Sequence, residues 1–268
     1  MNDNNKSAEE FIKLLNIIDK LRTNCPWDMK QTNESLRKLT IEETYELADA
    51  IFSNNDDGIR SELGDLMLHI VFYAKIGSEK ASFNMTDVLK GINNKLVYRH
   101  PHVFGDVKVS GPSEVEENWE KLKINEKAGN QPVLSGVPSS LPAMVKANRI
   151  QEKVRGVGFD WEKREQIWDK VTEEINELKA EAEDLNTETI ESELGDVLFS
   201  IINASRLYGI DPEAALEKTN RKFIKRFNYL EKETISKGIS LHDMSLDEMN
   251  EIWEKAKIED LPSGGIGG

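Results

Sequence analysis

The chain has 268 residues, enough for one large domain or two small ones, and its 38% hydrophobic and 31% charged residues fit a globular, helical protein. The single cysteine, Cys25, excludes an internal disulfide and a cysteine-cluster zinc site, and no apolar run approaches the roughly 20 residues that span a bilayer. A net charge of −14 argues against a nucleic-acid partner, which calls for a basic face, and the polar start from Met1 to Glu10 does not read as a signal or transit peptide. A reducing cytoplasm is the expected compartment.

In chain order, the first predicted helix runs from about Leu36 to Phe52, with Leu39, Ile41, Leu47, Ala50 and Ile51 on a helical period. Asn54-Asn55-Asp56-Asp57-Gly58 is a turn signal, and a second helix follows from about Ile59 to Gly77. A third runs from Asn84 to about Tyr98. Ser113-x-x-Glu116 is a capping box that opens a fourth. His100-Pro101-His102 reads as a proline-broken loop. The run from Ala128 to Pro142 holds three prolines and two glycines and reads as a linker.

Beyond the linker the plan returns. Helices are predicted from Trp168 to Leu185 and from Ile190 to Tyr208, joined by a turn at Asn186-Thr187. Asp211-Pro212, an N-cap followed by proline at the first helical position, opens the next helix, which Lys237-Gly238 closes. Ser245-x-x-Glu248 caps the last. No stretch alternates as a strand does. The expectation is an all-α chain of two tandem four-to-five-helix units: residues 1–129, a linker at 130–142, and residues 143–268, ending in a glycine-rich tail.

The two halves share more than a plan. Glu42-Glu43-Thr44-Tyr45-Glu46 matches Glu173-Glu174-Ile175-Asn176-Glu177, and Glu62-Leu63-Gly64-Asp65 matches Glu193-Leu194-Gly195-Asp196 at the same offset. Asn93-Asn94-Lys95 with Arg99 matches Asn220-Arg221-Lys222 with Arg226, and Trp119-Glu120-Lys121 matches Trp253-Glu254-Lys255. Slightly different offsets between fixed blocks are what loop insertions between shared helices produce.

These repeated carboxylates carry the chemistry. Glu43 and Glu46 share a helix face, as do Glu62 and Asp65, and like charges at such spacing destabilise an isolated helix by about 0.2–0.5 kcal/mol. If the two helices pack through a short turn, the four carboxylates converge and need a cation. Mg²⁺, or Mn²⁺ as the alternative, is the hard, oxygen-preferring choice. Gly64 and Gly195, each beside the aspartate, suggest close helix approach. A di-iron carboxylate bundle would need Glu-x-x-His, and none of His69, His100, His102 and His242 stands three after a glutamate.

Lys222 and Arg226, like Lys95 and Arg99, are four apart on one helix face and could hold polyphosphate oxygens or form ordinary surface pairs. Trp119 and Trp253 could stack on a base or belong to the core, and Trp168 and Trp27 are weaker candidates of the same kind. No glycine-rich phosphate loop and no Ser/His/Asp or Cys/His arrangement can be assembled.

Glu-Glu-x-x-Glu followed by Glu-x-x-Asp resembles the signature of MazG nucleoside triphosphate pyrophosphohydrolases. Cys25-Pro26-Trp27-Asp28, Arg99-His100-Pro101-His102-Val103-Phe104-Gly105 and Val157-Gly158-Phe159-Asp160-Trp161 extend the resemblance to the two-domain members, over about Phe11 to Ile258. The resemblance implies Mg²⁺-dependent cleavage of the α–β phosphoanhydride of a nucleoside triphosphate. It implies metal ligands at Glu174, Glu177, Glu193 and Asp196 in the second copy and at Glu43, Glu46, Glu62 and Asp65 in the first. Glu173 and Glu42 would orient or activate water, Lys222 and Arg226 would hold phosphates, and Trp253 would contact the nucleoside. It also implies a homodimer or higher homo-oligomer with the main activity in the second copy. The alternative is a helical nucleotide- or partner-binding module without catalysis.

Overall fold

The computed structural model describes residues 3–112, 114–115, 118–119, 122, 132–184 and 186–259. Among these there is no strand; the elements are α-helices and single 3₁₀ turns. The chain divides into two compact units, Met1–Ser110 and Gly111–Gly268. The predicted capping box at Ser113 and Glu116, the start of the linker and the glycine-rich tail lie outside the described residues.

The first unit holds α1 (Asp3–Asn24), α2 (Asn33–Phe52), α3 (Asp56–Glu79), α4 (Met85–Arg99) and the one-turn α5 (Pro101–Phe104). Helix α2 starts at a capping box in which Thr32 and Ser35 satisfy each other's backbone N–H groups. Helix α3 begins three residues before the expected Ile59, because the Asn55 side chain accepts from the Gly58 N–H and draws the supposed turn into the first helical turn. The segment after His100 is not a loop but a helical turn with Pro101 at its first position.

Helix α1 was not singled out in the sequence, yet its Ile18 is 1% exposed and packs with Leu36, Val71, Phe72 and Ile76. Phe11, Leu14 and Leu15 complete its apolar stripe at helical spacing. Arg22 at its end makes a bidentate pair with Glu79 of α3 (Nε–Oε1 3.0 Å, Nη2–Oε2 3.0 Å) and donates to the carbonyls of Asp28 and Gln31. One guanidinium thereby ties the α1–α2 connection to the far end of α3.

The second unit holds α6 (Ala143–Arg155), α7 (Ile167–Asp184), α8 (Thr187–Leu207), α9 (Pro212–Ile235) and α10 (Leu246–Glu259). Helix α6, also not singled out in the sequence, packs on α8 and α9, and α10 packs on α9. The core is built on Ile167, Val171 and Ala204, with Ile175 and Leu207 against it. Asn186 caps α8. Gly238, at φ +68°, follows the end of α9 in the left-handed conformation that stops a helix. Ser245 and Glu248 form the capping box of α10 (Ser245 N to Glu248 Oε2 2.8 Å, Glu248 N to Ser245 Oγ 3.3 Å).

Asp211 Oδ1 accepts from the Ala214 N–H at 2.9 Å while Pro212 presets φ in the first turn of α9. Asp211→Ala is expected to lower unfolding free energy by about 1 kcal/mol in urea titration, the usual worth of an N-cap.

Candidate active site

In each unit the most extensive helix pairing is a hairpin, α2 with α3 and α7 with α8, closed by a connection of two or three residues. Such a hairpin brings carboxylates from two helices to one place. In the first unit oxygens of Glu43, Glu62 and Asp65 lie within 4.8 Å of one another. In the second, oxygens of Glu174, Glu177 and Glu193 do the same. The two groups are homologous in position but not identical in membership. Glu46 lies outside the first group, although its charge is felt at Glu43. Asp196 lies outside the second and instead joins Glu174 on the wall of a cavity.

The electrostatics show the strain of like charge. Burial pushes the Glu43 carboxyl above its ordinary value, and the charges of Asp65, Glu46 and Glu62 push it further. Glu177 is raised in the same way, by desolvation first and then by Glu174. Glu174 is only 7% exposed, and Lys170 is its counter-charge, with Nζ 2.8 Å from Glu174 and 2.9 Å from Glu173. Those two carboxylates hold the Lys170 ammonium above its ordinary value, so it stays charged. An all-oxygen donor set of three carboxylates fits a hard divalent cation and does not suit a thiolate- or imidazole-seeking metal.

Gly64 and Gly195 do not mark close helix approach within either unit: a Cβ added at each would meet nothing within 4 Å. The neighbouring apolar side chains Leu63, Met67 and Ile70 on α3, and Leu194, Leu198 and Ile201 on α8, are exposed.

The cavity of the second unit has a volume of about 540 Å³. Its wall includes Lys170, Glu174 and Asp196, together with Ile150, Gln151 and Val154 of α6, Phe159 to Trp161, and Phe199, Asn203 and Arg206 of α8. Arg206 anchors this wall. Its side chain is 8% exposed and pairs bidentately with Asp160 (Nη1–Oδ2 3.0 Å), while Nε reaches Asn203 Oδ1 at 3.0 Å. Desolvation alone would raise the Asp160 carboxyl, but hydrogen bonds from Arg206 and the Trp161 N–H, with the charges of Arg206 and Arg155, bring it below its ordinary value.

The basic and aromatic candidates form other groups. Trp253 packs against Phe223 at 5.0 Å between ring centroids, with the Arg226 guanidinium 6.0 Å from its ring. Lys222 is exposed on the same helix as Arg226, and none of Lys222, Arg226 and Trp253 lines the cavity. Trp168 donates to the Tyr208 hydroxyl at 3.0 Å, next to Arg164 over the Tyr208 ring, and is likewise off the cavity wall. Lys95 is exposed and Arg99 half-buried at the end of α4. Sequence reasoning singled out Glu173 and Glu174 but not the Lys170 that bridges them, nor Gln151, Asn203 and Arg206. The only local signal was charge spacing, since Lys170 stands three and four residues before the two glutamates.

Comparison with known proteins gives the family. The family model described as the MazG nucleotide pyrophosphohydrolase domain matches twice, over residues 31–104 and 162–230, and each match contains one carboxylate group. The chain is 44% identical over 250 residues to the Thermotoga maritima protein named nucleoside triphosphate pyrophosphohydrolase/pyrophosphatase MazG, covering 92% of this chain and 95% of that one. It is 39% identical over 256 residues to the Escherichia coli nucleoside triphosphate pyrophosphohydrolase, covering 93% and 97%. It is also 45% identical over 252 residues to the uncharacterized protein YabN of Bacillus subtilis, of which it spans 52%. With two family-domain matches and relatives aligned over nearly their whole length, the chain belongs to the MazG nucleotide pyrophosphohydrolase family.

Proposed function

We propose that this protein is an enzyme that hydrolyses nucleoside triphosphates between the α and β phosphates, giving a nucleoside monophosphate and pyrophosphate and thereby controlling a nucleotide pool. The observation that carries this is the three-carboxylate group on an α-hairpin, formed in both units from matching stretches of sequence. The names of the full-length relatives support the reaction class.

In this reading Glu174, Glu177, Glu193 and Asp196 hold a divalent cation in the second unit, and Glu43, Glu46, Glu62 and Asp65 do so in the first, with magnesium first in order and manganese second. A bound cation supplies Lewis-acid neutralisation of phosphate charge and makes a coordinated water more acidic. The chain's own residues do the rest. Lys170 fixes Glu173 beside Glu174, and Glu173 takes the proton of the attacking water. As the water oxygen bonds to the α-phosphorus, the bond from that phosphorus to the bridging oxygen breaks. The electron pair leaves on pyrophosphate, which Lys222 and Arg226 stabilise. Lys95 and Arg99 are their counterparts in the first unit.

No helix among the described residues is long and apolar enough to cross a membrane. We place the protein in the cytoplasm, where its single thiol stays reduced. The exposed apolar faces of α3 and α8, with room left at Gly64 and Gly195, support a homodimer or higher homo-oligomer in which a second copy covers them.

Product analysis tests the reaction. With Mg²⁺ and a panel of ribo- and deoxyribonucleoside triphosphates, ion-exchange chromatography is expected to show monophosphate and pyrophosphate in equal amounts. Diphosphate with orthophosphate would place the cleavage at the wrong bond.

A further inference from the structure

We propose that the two carboxylate groups treat a free divalent cation unequally: the first unit holds one as a resident ion, while in the second the Lys170 ammonium stands in for the cation and makes a free ion bind more weakly. This rests on the reading that both groups hold a cation, and adds which of them fills first and which side chain sets that order.

The offset that aligns Glu43 with Glu174 and Glu62 with Glu193 also aligns Leu39 with Lys170 and His69 with Ser200. All of these positions lie on the hairpin helices that carry the carboxylates. In the second unit Lys170 Nζ reaches Glu174 at 2.8 Å and Glu173 at 2.9 Å. Its place on the helix does not favour it there. Lys170 stands in the first turn of α7, where the helix dipole opposes positive charge, and it precedes its glutamates, the weaker order for such a pair. The two carboxylates hold it in place. At the matching position of the first unit, Leu39 carries no charge and packs against the core. Among the described residues the ion pairs of the first unit, such as Arg22 with Glu79 and Lys75 with Asp19, leave Glu43, Glu62 and Asp65 out.

An ammonium and a hard divalent cation compete for the same carboxylate oxygens. In the second unit a free cation must take Glu174 from Lys170 or sit beside a positive charge, and either weakens its binding. In the first unit the oxygens of three half-buried carboxylates lie within 4.8 Å of one another. The charges that push the Glu43 carboxyl up are those of Asp65, Glu46 and Glu62, whereas at Glu177 Lys170 acts in the opposite direction to Glu174 and Glu173. A cation in the first unit relieves that repulsion without displacing anything. His69 points the same way. One helical turn after Asp65 and 6% exposed, it keeps a buried Nδ1 with no hydrogen-bond partner, and the Asp65 charge reaches its ring. A hard cation that retains part of its water shell supplies polar company for such a nitrogen. The matching Ser200 hydroxyl needs none, since it donates to the Val197 carbonyl at 2.9 Å. At both matched positions the second unit is satisfied from within and the first is not.

Titration with Mn²⁺ alone, counted by the paramagnetic resonance signal of the unbound ion, tests this without nucleotide or turnover. Salt at about 0.1 M screens the diffuse attraction of a chain with net charge −14. The unaltered protein is expected to show one tight site per chain and a second about tenfold weaker, the order of one charge-assisted hydrogen bond. Glu62→Gln removes the tight site, and Glu193→Gln removes the weaker one. Lys170→Met keeps the apolar stem of a side chain that is 37% exposed. It tightens the weaker site about tenfold and leaves the other unchanged. Two sites of equal affinity, a tight site that Glu193→Gln removes, or a Lys170→Met curve that matches the unaltered protein overturns the proposal while leaving the reaction class standing. The comparison of Glu62→Gln with Glu193→Gln decides the order of filling even where Lys170→Met fails to fold. Absence of bound Mn²⁺ in both units overturns the proposal together with the cation reading. Failure of the unaltered protein to release pyrophosphate strikes the reaction class instead, and the Mn²⁺ curve then decides the order of filling alone.

Discussion

Glu193→Gln is expected to lower cation-dependent pyrophosphate release by about a thousandfold, the order set by losing several kcal/mol of metal-centred charge stabilisation. Glu193 shares its oxygen cluster with Glu174 and Glu177, and among the described residues no lysine or arginine pairs with it. The amide removes one charged ligand and keeps shape and size. The same change relieves like-charge repulsion when no cation is present, so the cation-free variant melts no lower than the unaltered protein. The rise in melting temperature on adding Mg²⁺, which reflects binding to the folded state alone, shrinks or vanishes. This pairing of lost turnover with undiminished cation-free stability separates a ligand from a structural residue. The matched Glu62→Gln reports the share of activity carried by the first unit, and the double variant removes all release. Retention of full turnover in the double variant would remove both hairpins from the mechanism.

Arg206→Ala is expected to destabilise the second unit by about 3 kcal/mol, because removing one partner of a largely buried pair leaves a carboxylate uncompensated. Arg206 serves the Asp160 carboxylate and the Asn203 amide, and only Arg155, at 3.7 Å, remains near Asp160 without it. The melting temperature falls by about 6–12 °C if the unit melts as a domain of its size does. Asp160→Asn gives a smaller loss, and the double variant is less destabilised than the sum of the singles, as residues in contact require. The pH dependence follows from the direction of the Asp160 shift. Its folded value lies below the ordinary one, so its contribution is complete above the unfolded value of about 4 and is lost as pH falls through the folded value. The stability difference between the unaltered protein and Asp160→Asn is therefore flat from neutral pH down to about pH 5 and narrows only below about pH 4. A difference that changes between pH 6 and 8 would point to another titrating group.

Much of the fold is legible in sequence because it is written locally. Asp211-Pro212, Ser245 with Glu248, and Lys237-Gly238 each act within a few residues of themselves, and the structure uses them as caps and a stop. The turn before α3 reads less well, since Asn55 serves both as a turn residue and as an N-cap and only the hydrogen bond to Gly58 decides between them. The carboxylate groups were legible for a different reason: matching spacing in two copies left chance a poor account of them. Their precise membership was not, because three-residue spacing fixes a helix face but not which neighbour turns inward. Glu46 and Asp196 fall outside the tight groups for that reason. The cavity was least legible. Gln151, Phe159 and Arg206 come from two helices and a loop, and no local pattern links Asp160 to an arginine 46 positions further on. Glycine in mid-helix was informative about space but not about what fills it, since a Cβ added at Gly64 or Gly195 would meet nothing within 4 Å.

The most direct test of the account is pyrophosphate release from nucleoside triphosphates by protein first stripped with a chelator and then titrated with Mg²⁺. The account predicts no release from the stripped protein, saturable release as Mg²⁺ is restored, and loss of that release in Glu193→Gln combined with Glu62→Gln. Release that persists in the stripped protein, or survives in the double variant, would contradict the claim that the paired carboxylate hairpins carry the chemistry.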